Sequence, residues 1–281
     1  YLQSLFASFF EENKINNHVI KQNNMKATWI WQHKNWPKFY WDDSKIITLL
    51  SRVRMLQGKL LGELNTFGFE LQNNASLEII TTDVISSSEI EGITLDPARV
   101  RSSVASRLGL STQGLPSPDH YTEGVVQVMM DAIKNYNEVL TKERLCNWHA
   151  ALFPTGRSGM YKISVAEYRQ GEEPMQIVSG AMGHEKVHYE APSSSDIPHE
   201  MDLFLEWINK PCDIDPVIKA AIAHLWFVAI HPFDDGNGRL TRTITDMMLS
   251  RSDGQRLRFY SMSAEIMRKR NSYYEILQKT T

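Results

Sequence analysis

The run His231-Pro232-Phe233-Asp234-Asp235-Gly236-Asn237-Gly238-Arg239-Leu240-Thr241-Arg242 gathers several chemical groups within twelve residues. His231 is the residue there suited to take a proton at neutral pH. Gly236, Asn237 and Gly238 all tolerate left-handed backbone, and successive N–H groups in such a turn form a nest for an anion. Arg239 and Arg242 lie three apart, so on a helix they share a face and can grip a polyphosphate. Asp235 supplies the hard oxygen that Mg²⁺ prefers alongside phosphate oxygens. Singly, each has an ordinary explanation: a core histidine, a plain turn, surface arginines. Their joint occurrence points to phosphoryl or nucleotidyl transfer.

These residues must be held by the elements on either side. Asp215-Pro216 reads as N-cap and first helical position of a helix over 217–230 that is apolar nearly all round, hence central and buried. Pro232 ends it, since the residue before a proline avoids helical geometry. Leu240, Ile244, Met247 and Met248 then mark a second helix, whose N-terminus aims its dipole and free N–H groups at the glycine turn. His224, seven residues before His231, lies about 10 Å away along the axis, too far to share a metal, and reads as structural.

The rest of the pattern is mainly helical. Apolar residues from Ile46 to Leu64 follow the cap pair Asp43-Ser44, and Leu77, Ile80, Val84 and Ile85 mark a helix over about 75–91 closing at Gly92. Leu110 to Asp119, with Gly114, Pro116 and Pro118, reads as a linker. Helical patterns follow at 121–140, 141–153 and 197–209. Between them, alternation in Met175–Val178 and Lys186–Tyr189 predicts a short hairpin. On the 75–91 helix, Ser87 and Glu91 lie four apart, and a carboxylate at a helix C-terminus faces the negative end of the dipole. That suggests a partner elsewhere in the fold, or a tolerated surface residue.

The whole chain has 281 residues, 42% of them apolar, and a net charge of −3. Length predicts about two packed units. Without a basic block, neither a nucleic-acid surface nor a membrane surface is signalled, and the short Arg268-Lys269-Arg270 cluster reads as a solvated helix face. No apolar run is long enough to span a membrane, and the N-terminus lacks a secretory leader. Cys146 and Cys212 each stand alone, predicting a reduced, cytoplasmic protein. Residues 1–24 read as a leader or extension, with Met25 a candidate native start. The ending Leu277–Thr281 suggests that further C-terminal structure follows. Four of the seven tryptophans fall within 28–43, which fits either a small aromatic core or a partner-binding patch.

The 231–242 run resembles the signature of the Fic family, His-x-Phe-x-Asp/Glu-Gly-Asn-Gly-Arg-x-x-Arg, with every fixed position filled, and the likeness extends over about 120–281. The resemblance implies a mainly α, Fic-type bundle with a β-hairpin flap over 116–281. A helical N-terminal domain at 25–115, of a kind found ahead of Fic cores in some bacterial proteins, would precede it. It implies a protein adenylyltransferase that moves AMP from ATP to a Ser, Thr or Tyr hydroxyl of a target protein. His231 would be the base and Phe233 the loop's anchor in the core. Asp235 would hold Mg²⁺, Asn237 with Gly236 and Gly238 the phosphates, and Arg239 and Arg242 the β and γ positions. The flap would hold a target segment by strand addition, with Ile177, Val178, Ser179 and Gly180 bordering the nucleotide. Tyr273 and Tyr274 resemble a pair near the adenine pocket, and Fic-like cores often pair as homodimers.

Ser87 to Gly92 matches the family's inhibitory motif, Ser/Thr-x-x-x-Glu-Gly/Asn. By that resemblance Glu91 pairs with Arg242 and displaces the γ-phosphate contact, so the enzyme restrains itself. Two alternatives stay open: removal of AMP by the same site, and a nucleotide-sensing module without catalysis.

Overall fold

The computed structural model describes Phe6, residues 28–179 and residues 186–281. The leader expected over 1–24, Phe6 apart, therefore lies outside the described residues, as does Gly180.

A 3₁₀ turn, Ile30–Gln32, precedes two long helices, α1 (Asp43–Leu64) and α2 (Phe69–Ile90). Helix α2 begins six residues before the expected start. Phe69 and Leu71 are exposed, so the first turn carries no core-facing periodicity to announce it. Helix α3 (Pro97–Leu108) was not anticipated, although its signals are ordinary: Asp96 accepts from Ala98 N–H, Pro97 opens the helix, and left-handed Gly109 closes it. The segment expected to link is indeed coil, running from α3 to α4 (His120–Lys134). Helix α4 stops six residues short of the expected 140, and α5 (Lys142–Leu152) follows.

Two small antiparallel sheets interrupt the helices. Strands β1 (Arg157–Ser158) and β2 (Tyr161–Lys162) form a tight hairpin that the sequence pattern did not signal. The expected flap pairs β3 (Gln176–Ser179) with β4 (Lys186–Glu190), with an irregularity between Ile177 and Val178. Helices α6 (Ile197–Asn209), α7 (Pro216–Ile230), α8 (Asn237–Asp253), α9 (Met262–Arg268) and α10 (Arg270–Thr280) complete the chain. Lys269 ends α9 and precedes α10, and Arg268 and Lys269 pair with Glu265 in an exposed cluster.

Helix α7 lies at the centre, buried along its length apart from exposed Pro216 at its start and half-buried Val228, and packs most extensively against α8. Such burial is what an all-round apolar helix requires. The tryptophan-rich segment packs onto this core. Trp36 and Phe39 meet Trp226 of α7 at 6.0 and 5.8 Å between ring centroids, and Trp29 meets Tyr189 at 5.6 Å. The indoles of Trp31 and Trp36 donate to Glu190 O and Glu200. Of the two readings, the structure shows the aromatic core, formed within the chain.

A buried ionic cluster ties α2, α8 and the segment before α9 together. Arg258 donates to Asp246 at 3.0 Å and pairs with Asp253 at 3.4 Å, with all three side chains no more than 5% exposed. Asp83 of α2 accepts from Ser261 and from Ser263 N–H. The Oδ2 atoms of Asp83 and Asp246 are buried with no hydrogen-bond partner. Burial and the adjoining Asp83 carboxyl raise Asp246 well above the carboxylate range. Arg258→Ala leaves this cluster without its cation and is expected to lower unfolding stability by about 3–5 kcal/mol. Denaturant titration checks this, and a loss below about 1 kcal/mol would contradict the arrangement.

Candidate active site

The turn between α7 and α8 is fixed from several directions. His231 caps α7 in left-handed conformation, φ 52° and ψ 59°, with its N–H donating to Phe227 O at 3.1 Å. A non-glycine residue rarely sits there, and the strain is held in place by Arg169, whose Nε donates to His231 O and whose N–H donates to Pro232 O. Phe233 is fully buried, stacked on His149 at 4.3 Å. Asn237 clasps it: Phe233 N–H donates to Oδ1 at 2.9 Å and Nδ2 donates to Phe233 O at 2.7 Å.

Asn237 thus spends its amide oxygen and one amide N–H on the Phe233 backbone inside the turn. Its backbone N–H, at the start of α8, stays clear of this clasp. Of the three residues able to go left-handed, Gly236 alone does, at φ 82°, because α8 has already begun at Asn237.

The carboxylate of Asp235 accepts from Gly236 N–H and, through Oδ2, from Ser158 of the β1–β2 hairpin. Each oxygen keeps a further lone pair. Among the described residues no three His, Cys, Asp or Glu side chains gather to hold a metal ion by themselves. A single, oriented carboxylate fits a Mg²⁺ whose other ligands come from phosphate and water.

The two arginines part company despite their shared spacing. Arg239, 4% exposed, donates to Tyr121 Oη at 2.7 Å and lies over the Phe153 ring, leaving its buried Nε without a partner. Arg242, 1% exposed, turns instead to α2. Its Nε donates to Ser87 Oγ at 2.9 Å, and Nη2 donates both to Ser87 O and to Glu91 Oε1 at 2.8 Å. Glu91 caps α2, and left-handed Gly92, φ 77°, follows it. A Cβ placed on Gly238 would lie 2.2 Å from Glu91 Oε1, so this carboxylate rests directly on the first turn of α8. The free N–H groups and dipole of that turn favour such an anion.

A cleft of about 390 Å³ opens beside this contact. His231, Gly238, Arg242 and Glu91 line it, together with Val228, Ile177, His188, Tyr189, Tyr273, Tyr274, Leu277, Gln278 and Thr281. Ile177 borders the cleft as expected. Val178 and Ser179 do not line it, because alternate residues of a strand face opposite ways and the register shifts after Ile177. His188, Tyr189, Leu277 and Gln278 were missed, since nothing local in the sequence marks them. Tyr273 also donates or accepts through Oη with His224 Nε2 at 2.8 Å, and His224 Nδ1 meets Thr245 Oγ1, so His224 is structural.

The imidazole of His231 approaches Val228 O through Nδ1 at 3.4 Å. A carbonyl only accepts, so Nδ1 carries the proton and Nε2 keeps its lone pair. Desolvation of this half-buried ring, reinforced by Arg169, pushes His231 down to about 4, against the opposing pull of Val228, Glu91 and Asp235. The ring is therefore neutral and able to accept a proton throughout the physiological range.

Residues 139–249 match the Fic/DOC family, and residues 29–110 match a family described as a domain of unknown function, DUF4172. A protein adenylyltransferase Fic of Aedes aegypti is 26% identical over 208 residues, covering 73% of this chain and 38% of that protein. Protein adenylyltransferase fic-1 of Caenorhabditis elegans is 44% identical over 50 residues, 17% of this chain and 10% of that protein. The chain thus spans well under half the length of these relatives. Among solved structures, a Fic family protein from Desulfovibrio desulfuricans superposes with TM-score 0.59 at 22% identity, covering 82% of this chain and 65% of that one. A Fic domain containing signaling protein from Bacteroides thetaiotaomicron gives TM-score 0.55 at 18% identity, over 79% of each chain. The fold is that of these proteins. In the ligand-free protein, NMR titration of His231 is expected to show a midpoint near 4; a midpoint at or above 6 would contradict the desolvation of its ring.

Proposed function

Because the chain carries a Fic/DOC domain over residues 139–249, we propose that it transfers the AMP moiety of ATP to a Ser, Thr or Tyr hydroxyl of a target protein. The observation that carries this reading is the meeting of three things in one cleft: a neutral His231, the first turn of α8, and Arg242. His231 Nε2 takes the hydroxyl proton while the hydroxyl oxygen bonds to the α-phosphorus. The bond to the bridging oxygen breaks, and pyrophosphate leaves with its electrons. Arg242 and the N–H groups of α8 offset its charge, which is where such transfer gains most of its rate. Asp235 would hold a Mg²⁺, which would supply positive charge to the phosphates.

On this reading Tyr273 and Tyr274 flank the nucleotide base. The exposed Ile177, Val178 and Val187 of the flap offer an edge and side chains to a target strand. Glu91 restrains the reaction, because its carboxylate holds the Arg242 donor and the helix turn that a terminal phosphate needs. Like charges so placed repel, and the triphosphate settles in a pose unfit for attack. The names of the Aedes and Caenorhabditis relatives, protein adenylyltransferases, agree with this activity.

The test compares wild type, Glu91→Gly, and Glu91→Gly with His231→Ala, each given Mg²⁺ and ATP labelled at the α-phosphate, with and without cell lysate. Protein-bound label is expected to rise at least about tenfold in Glu91→Gly and to vanish with His231→Ala. Label equal in wild type and Glu91→Gly would remove the inhibitory role. No label in any sample, with AMP released from AMP-modified protein instead, would replace transfer by AMP removal. Glu91→Gly also leaves buried Arg242 short of a counter-charge, so its melting temperature should fall without ligand and recover with Mg²⁺ and ATP.

A further inference from the structure

His149 of α5 joins two loops beneath the site. It is fully buried, and its ring lies nearly parallel to Phe233, 12° apart, and against Phe153 at 5.0 Å. Ala166 N–H donates to Nδ1 at 3.1 Å, which places the imidazole proton on Nε2. Nε2 in turn donates to Asp235 O at 3.1 Å. We propose that His149 is a positioning residue for the phosphate-binding turn: as the Nε2–H tautomer it ties Asp235 to Ala166 and so fixes the direction of the Asp235 carboxylate beside the start of α8.

Three observations support this. Ala166 sits at φ 61°, a left-handed conformation that a side chain disfavours, so the segment needs an external hold. Next to it, Ser164 N–H donates to Asp234 Oδ2 at 2.9 Å, a second stitch between the same two loops. The aromatic neighbour Phe153 supports both Gly236, whose added Cβ would lie 2.8 Å from the ring, and the Arg239 guanidinium, 4.7 Å over its face. Replacing the imidazole with an apolar ring leaves Asp235 O and Ala166 N–H without their partner while the stacking survives.

The inference rests on the proposed use of this turn to hold ATP phosphates. Its test uses the full chain in the Glu91→Gly background, with His149→Phe keeping the stack and His149→Gln keeping an amide donor. Calorimetry measures binding of Mg²⁺–ATP and of AMP, beside KM, kcat and thermal unfolding. His149→Phe is expected to weaken Mg²⁺–ATP binding and raise KM by about tenfold, with AMP binding within about twofold and His149→Gln recovering most of the loss. Unchanged Mg²⁺–ATP binding, or equal loss of ATP and AMP binding together with a lowered melting temperature, would overturn the role. Where His149→Phe fails to fold, His149→Asn, whose amide is too short to reach Asp235 O, is read in its place with the same expectation. If the parent binds Mg²⁺–ATP yet transfers no label, the transfer reading fails while the ratio of ATP to AMP binding still decides on His149.

Discussion

Arg242 is the largest fully buried side chain of the described residues, and much of the architecture answers to its charge. A guanidinium taken out of water is tolerable only where its donors are met, and the acceptors here come from one helix, α2. Meeting them sets α2 against α8 at one height. One turn further along both helices, Asp83 and Asp246 meet, with Arg258 beside them, and repeat the constraint. The N-terminal region and the Fic/DOC region are thereby joined through polar groups that are costly to separate.

The same contact places Glu91 where an anion belongs. A carboxylate at the C-terminus of α2 opposes that helix's dipole, yet it lies at the N-terminus of α8, whose dipole favours it. A bound phosphate would draw on the same donors. On the proposed reading, exchange of one anion for another would need no rebuilding of the core, because Ser87 binds Arg242 separately through Oγ and its carbonyl. The restraint would then be reversible.

Much of the site was legible because its parts are close in sequence. The 231–242 run, its flanking helices and the Ser87–Glu91 spacing all follow from local rules. What local rules could not supply was direction. Arg239 and Arg242 share a spacing, yet one is drawn to Tyr121 and the other to Ser87, partners 118 and 155 residues distant. Asn237 suggested a phosphate ligand by its type, but its amide is used to fold the turn on Phe233. His149 and Ser158 reach Asp235 from 86 and 77 residues away, with no motif to announce them. Helix α3 is a different kind of miss: Asp96-Pro97, Gly109 and the helical spacing of Val100, Val104 and Leu108 were all readable, although polar and charged residues interrupt the apolar ones.

The central claim is that Glu91 and the terminal phosphate of ATP compete for Arg242, and the ratio of ATP to ADP affinity measures that competition directly. With Mg²⁺ present, wild type should bind the two about equally, whereas Glu91→Gly should favour ATP by about tenfold, near 1.4 kcal/mol. The same ratio in both proteins would contradict the claim, because the γ-phosphate would then gain nothing from the removal of Glu91.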